Sequence, residues 1–469
     1  MEEQKERELK ESEVIKKSEK MSILDGSFFG IMEGAGLRYI TPYALALGAS
    51  NFLIALLSTL PGLLGNLNQL TTLNLIKKRS RKYIVVTAVV VQALSWIPLI
   101  GLGILYLFAT PAQKFIPLLL LFVYSFLIIS GSTGSPAWNS WMRDLILKNS
   151  GHYFGTRNRI MYICIIISMF IASGILTYFK KIDPIVGFCV IFAIAGLARL
   201  ISAFFLLQQY EPQFKYRDSA YFSFYDFVKK MLFNNFGRFV LLVSLLSFAT
   251  NLAGPFFAVY MLQDLQFSYL QFTFVSTAAL VSMIIFLPRW GDFADKFGNI
   301  RVIQLNAILI TLIPLLWFAS IFFSAFSIWF VVFYLVGVEL FSGYAWAGFN
   351  LSSANFMYDA VTRDKMAFCV AYFNIIHAFF AFVGAILGAF IVSQEIQLFG
   401  IKGLIILFLL SFLLRCLAAI YMQTSIREVR QVSDFRLKEH IKQKLKDGKV
   451  ALNRFIGLKS IRNEHFDHQ

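Results

Sequence analysis

Charge is scarce in this chain. Of its 469 residues only 15% are Asp, Glu, Lys or Arg, where a soluble domain carries about 25%. With 58% apolar residues, 51 Phe and a mean hydropathy of +0.66, a water-soluble enzyme is excluded. Cysteine is scarce as well. Cys164, Cys189, Cys369 and Cys416 all sit in apolar stretches with no paired spacing, which implies neither a disulfide framework nor a metal site. Of only five histidines, His440, His465 and His468 lie in the C-terminal tail. The G-x-S-x-G and H-E-x-x-H patterns and a glycine-rich nucleotide loop are missing, so no catalysis, no cofactor and no internal use of ATP is expected. The first 21 residues mix Glu and Lys without an apolar core or a small-residue cleavage site, and so read as a polar tail, not a cleavable signal peptide.

What the chain has in abundance is uninterrupted apolar sequence, as from Phe115 to Trp138 and from Ile303 to Phe323. Such runs, punctuated by Pro, Gly and polar gaps, divide it into about twelve spans of roughly 20 to 28 residues. The expected fold is an all-α membrane protein of twelve transmembrane helices. The net charge of +16 is distributed by loop. One alternate set of gaps holds Lys77, Lys78, Arg79, Arg81, Lys82, Lys148, Arg157, Arg159, Lys215, Arg217, Lys229, Lys230, Lys296, Arg301, Arg363 and Lys365. The other holds only Lys114, Lys180, Lys181 and Lys402. The positive-inside rule then places both termini in the cytoplasm of a multi-pass cell-membrane protein. The basic excess points to anionic lipid head groups as partner at that face, and not to nucleic acid. Residues 425–469 read as a basic tail with loose helical spacing beside the inner leaflet.

An internal repeat organises the spans. Gly196-Leu197-Ala198-Arg199-Leu200-Ile201-Ser202-Ala203 is echoed by Ser411-Phe412-Leu413-Leu414-Arg415-Cys416-Leu417-Ala418-Ala419, with Arg415 set 216 residues after Arg199. Ala137-Trp138-Asn139 is echoed by Ala345-Trp346-Ala347-Gly348-Phe349-Asn350 at the same six-span offset. The economical reading is a pair of pseudo-symmetric six-helix bundles over 22–209 and 236–424, joined by a cytoplasmic linker over 210–235 and following a tail over 1–21.

Gly291-Asp292-Phe293-Ala294-Asp295-Lys296-Phe297-Gly298-Asn299-Ile300-Arg301 resembles the signature loop of the major facilitator superfamily, G-x-x-x-D-[RK]-x-G-[RK]-[RK]. Gly291, Asp295, Lys296 and Gly298 match, and Arg301 comes one place late. In the first half the alignment puts Ile76 where Asp295 stands. Trp138 to Leu145 and Gly151 to Arg159 also look like a pattern from bacterial and archaeal members. The resemblance implies two bundles working by alternating access, with the first, fourth, seventh and tenth spans lining a central cavity. The antiporter pattern G-x-x-x-G-P-x-x-G-G is missing from Met161 to Phe179, which disfavours a drug/proton antiporter.

Ionisable groups deep in spans cost about 2.5 to 3.5 kcal/mol each on insertion scales unless they face protein or water. They are Glu33, Arg38, Arg199, Glu339, His377 and Arg415. On a continuous helix Glu33 and Arg38 stand roughly 140° apart, so each is expected to find a partner on another helix, Glu339 with Arg38 being one option. Stripes of Ser130, Gly134, Trp138 and Trp141, of Glu339, Gly343, Trp346 and Asn350, and of Ser244, Asn251 and Pro255 are expected to converge on a solute, the alternative being packing and interhelical hydrogen bonds. His377, with Asn374 a turn away, reads as a core histidine or a proton carrier. Arg199 and Arg415 read as structural, snorkelling or binding a loop carbonyl. Asp295 is a candidate conformational latch, with an ordinary exposed charge as the alternative.

Gly26, Gly30 and Gly34, and Gly384 with Gly388, read as packing ridges. The function expected is a secondary transporter of a small organic solute, with Glu33 or Glu339 coupling it to a proton or sodium gradient. An uncoupled facilitator and a non-transporting receptor on the same scaffold are the alternatives.

Overall fold

The computed structural model describes residues 2–108, 110–146, 150–213, 223–323, 327–362, 365–394, 397–398 and 401–432. Lys148, Lys215, Arg217, Arg363 and residues 433–469 of the tail expected over 425–469 lie outside those residues.

The described chain is helical, with one two-residue hairpin, Gln397–Leu398 with Ile401–Lys402, that the sequence reading did not foresee. The helices are α1 (Glu2–Ala35), α2 (Ile40–Ala46), α3 (Asn51–Leu75), α4 (Arg81–Leu94), α5 (Trp96–Phe108), α6 (Ile116–Leu145), α7 (Ser150–Phe179) and α8 (Pro184–Leu207). Then follow α9 (Phe224–Lys230), α10 (Asn235–Ala253), α11 (Phe256–Val259), α12 (Tyr269–Phe297), α13 (Asn299–Ala319), α14 (Ile328–Ala360), α15 (Met366–Ser393) and α16 (Gly403–Ser425). Among the described residues eleven helical stretches are long and apolar enough to cross a membrane, α4 and α5 counting as one. The polar first half of α1 keeps the earliest expected span outside that set. In lipid the backbone must bond to itself, which is why spans this apolar are helices. Side chains such as Phe122, Ile171 and Phe390, each more than half exposed, are the lipid-facing surface and not a soluble protein's error.

Helix starts follow from short polar residues. Ser50, Ser80, Asp183, Asn234, Ser268 and Ser327 each accept a hydrogen bond from a backbone N–H of the first turn.

The helices pair in a repeated order. In the first set α1 packs on α7 and α8, α3 on α6, and α4 on α6 and α8. Six spans on, α10 packs on α15 and α16, α12 on α14, and α13 on α14 and α16. The glycine ridges explain two of these. A Cβ at Gly30 or Gly34 would stand 2.7 Å from the Met161 carbonyl oxygen or 2.4 Å from that of Ile165, and one at Gly384 or Gly388 would stand 2.3 Å from Phe248 O or 2.1 Å from Leu252 O. Backbones that close leave no room for a side chain. The sets meet through α3 with α15 and α7 with α12.

Two expectations about local structure are corrected. The first apolar segment is not one continuous helix: α1 stops at Ala35, a 3-10 turn covers Leu37–Tyr39, and α2 resumes. The break falls where the chain packs most closely, since at Gly36 even a Cβ would lie 2.3 Å from the Trp96 ring and 2.8 Å from Ala195. The corresponding helix of the second set breaks too, at Gly254–Pro255, before a π-helical Tyr260–Asp264. The signature segment is also not a loop over its length, because α12 continues to Phe297 and only Gly298 turns, at φ +93°.

Candidate functional site

The break after Ala35 rebuilds the first candidate pair. It swings Arg38 back so that Nη2 donates to Glu33 Oε1 at 2.6 Å, which a continuous helix would forbid. The pair is partly exposed, and Tyr124 of α6 and Tyr162 of α7 lie close enough to feel both charges. Neither tyrosine was singled out in the sequence. The signal available was Gly34-Ala35-Gly36 followed by Pro42, which marks a weak point in the helix.

Glu339 lies on the other side of the chain's repeat and does not meet Arg38. Its Oε1 accepts a hydrogen bond from the indole N–H of buried Trp317 at 3.1 Å. Trp317 in turn packs on Phe257, with ring centroids 4.6 Å apart, in a cluster with Tyr260 and Phe408. Nearby Arg415 is 1% exposed, donating to Ser411 Oγ at 3.1 Å, Ile310 O at 3.1 Å and Thr250 O at 3.4 Å. Thr250 O also receives Gly254 N–H, so Arg415 ties down the broken helix beside Asn251. Among the described residues no carboxylate is within ion-pair range of Arg415, and Glu339 is the ionisable group whose charge bears on it.

Arg199 has a different setting. Nε donates to Gln92 Oε1 at 2.7 Å and Nη1 to Ser202 Oγ at 3.0 Å, while Ser202 donates to Asp25 Oδ1 at 2.7 Å. Asp25 also pairs with Arg157 at 3.0 Å. Both Arg199 and Arg415 are therefore buried, and neither snorkels. Short polar side chains and helix carbonyls nearby satisfy them in place.

At the ends carrying the basic loops, each set is closed by a clasp. In the first, Glu211 Oε1 accepts the Arg81 N–H at 2.9 Å at the start of α4, and the buried Arg81 guanidinium meets Asp144 and donates to Ser140 O and Pro212 O at 3.0 Å. In the second, Glu428 Oε2 accepts the Ile300 N–H at 2.9 Å at the start of α13. Arg430 there lies 3.2 Å from Asp359, 3.7 Å from Asp295 and donates to Ala294 O at 3.0 Å. A carboxylate at a helix N-terminus and a cation at a C-terminus both favour the macrodipole. Glu211 and Glu428 are 217 residues apart and Asp144 and Asp359 are 215 apart, so the repeat offset was the signal that could have found them.

The remaining candidates each have neighbours of their own. Trp141 is fully buried and donates to Tyr210 O at 2.8 Å, and Trp138 lies under Arg157, 4.5 Å from its ring centroid. Asn251 bonds Ser247 on its own helix. Trp346 packs edge-on to Phe349, Asn350 is exposed, and His377 stacks on Phe373. Trp138, Trp141 and Trp346 were placed by helical stripe, and each has an aromatic, cationic or carbonyl neighbour. Gly291 is inside α12 with only Leu351 within 4 Å, Lys296 lies over Phe297, and Arg301 is exposed. Asp295 is 79% exposed.

The Major Facilitator Superfamily family model matches residues 239–464. Among solved structures, a mutant of the nucleoside transporter NupG shares 16% identity at a TM-score of 0.68, over 87% of this chain and 100% of that one. A D-xylose-proton symporter shares 14% at 0.63, over 90% and 100%. A bacterial homologue of the iron transporter ferroportin, in its inward-facing state, shares 11% at 0.61, over 88% and 98%. Comparison with curated proteins gives no match. The residue motif of α12, the repeated helix pairing and the shared fold agree with the family match over 239–464: the chain is a multi-pass membrane protein with the fold of these transporters, and its second half is similar to the major facilitator superfamily.

Proposed function

We propose that this protein is a secondary transporter that moves a small organic solute by alternating access. In this reading twelve spans form two six-helix halves, 22–209 and 236–424, joined by 210–235. The basic loops and both termini face the cytoplasm of a cell membrane. The observation that carries the proposal is the repetition of helix pairing six spans on, with a broken helix in each half. Two similar halves meeting at limited helix pairs can rock against each other and expose a midplane site to either side in turn. Neighbours named for nucleoside and xylose transport support a small organic solute.

Of the two candidate coupling groups, Glu339 is the stronger. Glu33 already has a guanidinium at 2.6 Å, whereas Glu339 has only an indole N–H. A carboxylate without a fixed counter-ion can exchange its charge with a proton or sodium ion as the halves move. Glu33, Arg38, Tyr124 and Tyr162 are assigned to solute contact.

The test is accumulation in proteoliposomes under an imposed pH or sodium gradient, after a thermal-shift screen against metabolites has found a solute. Glu339→Gln is expected to lose gradient-driven accumulation and keep downhill exchange. Undiminished accumulation by Glu339→Gln would remove the coupling role. Saturable binding without any transport by the parent chain would mark a receptor instead.

A further inference from the structure

The segment between the two sets carries an exposed apolar surface that neither clasp uses. On α9, Phe227 is 6% exposed and points into the protein, against Tyr372 of α15 at 5.6 Å and Phe236 of α10 at 6.1 Å. The rest of the helix divides by its four-residue spacing. Phe224, which also packs edge-on to Tyr372 at 5.3 Å, and Val228, 41% exposed each, share one flank, while Asp226 and Lys230 share the other. Tyr225, 73% exposed, and Lys229 point furthest from the protein.

The apolar surface continues through Leu232 and Phe233, 57% and 83% exposed. It is held, not loose. Arg238 donates from Nε to Leu232 O at 3.0 Å, Asn234 donates to Lys230 O at 2.7 Å and caps α10 through Gly237 N–H, and a Cβ at Gly237 would stand 2.2 Å from Met231 O. A phenylalanine this exposed, fixed by its neighbours' hydrogen bonds and two residues before a membrane span begins, has one environment that fits it. Lys229, Lys230 and Arg238 flank it, all exposed.

We propose that residues 224–233 form an interfacial anchor that lies on the membrane surface at the basic end, with Tyr225, Val228, Leu232 and Phe233 among the acyl chains and Lys229, Lys230 and Arg238 on anionic head groups. Two features choose the bilayer over a protein partner. The surface is continuous with the start of α10, which is itself in the membrane, and its charge complements an anionic leaflet. Aromatic rings at the level of head groups with lysines beside them are the composition that this depth favours. Because Phe227 fastens the anchor to α10 and α15, it ties the second set of helices to the lipid surface.

The test uses the full chain in vesicles, comparing Phe233→Trp with Asp226→Trp and taking the added fluorescence over the parent's seven tryptophans. The Phe233→Trp increment is expected to be quenched by brominated phospholipid and protected from aqueous acrylamide, with Asp226→Trp the reverse, each contrast at least about threefold. Val228→Trp gives a second reading of the same face. Adding phosphatidylglycerol to phosphatidylcholine vesicles should increase lipid quenching at position 233, and Lys229→Glu with Lys230→Glu should abolish that increase. Acrylamide reaching both positions equally would overturn the anchor. Protection from both quenchers would overturn it too, by showing a protein occupant. A phosphatidylglycerol effect that is absent in the parent, or that survives charge reversal, would overturn the head-group assignment.

Discussion

Arg199 and Arg415 stand at the same place in the repeat, both buried, yet their charges are met differently. Around Arg199 the first half supplies a carboxylate: Asp25, through Ser202, with Arg157 on its other oxygen. Around Arg415 the second half supplies a hydroxyl and two helix carbonyls, and the acid whose charge bears on it is Glu339. A buried cation with a fixed anion is a structural rivet, since neither can change charge without stranding the other. A buried cation held by dipoles leaves the neighbouring acid free to change state. The comparison separates a buried arginine linked to a fixed carboxylate from one held by a hydroxyl and helix carbonyls, and the proposed coupling rests on that difference.

The largest effect should come from removing the rivet. Asp25→Ala leaves Arg157 and Arg199 buried without their carboxylate, a loss of about 3–5 kcal/mol for breaking a buried pair. Thermal unfolding in mild detergent should show it as a strongly lowered midpoint and poor recovery. If Asp25→Ala unfolds no earlier than the parent chain, the two halves do not differ in the way described.

The sharper test is coupling. If Arg415 stabilises the charged form of Glu339, then Arg415→Leu and Glu339→Gln should be non-additive, with an interaction of about 0.5–3 kcal/mol in a double-mutant cycle on unfolding. Glu33→Gln with Arg415→Leu should add within about 0.5 kcal/mol. Equal coupling for both pairs would make Glu339 no more responsive than Glu33.

The turns at the basic end differ as well. The first clasp begins with Ser80 in ordinary extended geometry, whereas the second needs Gly298 at φ +93° with Glu428 packed where a Cβ would be, 2.4 Å away. Gly298→Ala should therefore cost about 1–3 kcal/mol in backbone strain alone. It should also displace Glu428 from the Ile300 N–H, visible as faster amide exchange there. Ser80→Ala removes only a cap and should cost about 1 kcal/mol.

Much of this arrangement was legible in the sequence, and the misses have physical causes. The membrane-crossing helices and the repeated order of their pairing follow from apolar length and the Arg199 and Arg415 settings, which act locally or by composition; eleven stretches meet the length and apolarity of a span where twelve were expected. The Glu33–Arg38 pair was missed because a helical wheel assumes the helix continues, while the helix breaks at Gly36, where the chain packs against Trp96, sixty residues on. Trp138 and Trp141 lie on the predicted stripe, but Arg157 and the Tyr210 carbonyl claim them. Those partners lie on other elements, which one sequence read locally cannot bring together.

The smallest effect is expected where the signature motif is most recognisable. Asp295 matches the superfamily pattern, and a latch there would need a partner that changes between states. Its observed partner, Arg430 at 3.7 Å, belongs to the same half, and Arg430 is held more closely by Asp359 at 3.2 Å and by Ala294 O. With the carboxylate 79% exposed, the pair is screened and worth under about 1 kcal/mol. Asp359 is the tighter member, since it also accepts from Asn299 Nδ2 at 2.7 Å. Asp295→Asn should accordingly leave unfolding unchanged and uptake within about twofold. Asp359→Asn should loosen residues 426–430 and raise their proteolysis. Cysteine-accessibility measurements on both faces decide it: a shifted open/closed balance in Asp295→Asn, with Asp359→Asn unaffected, would show that the motif aspartate works across the two halves after all.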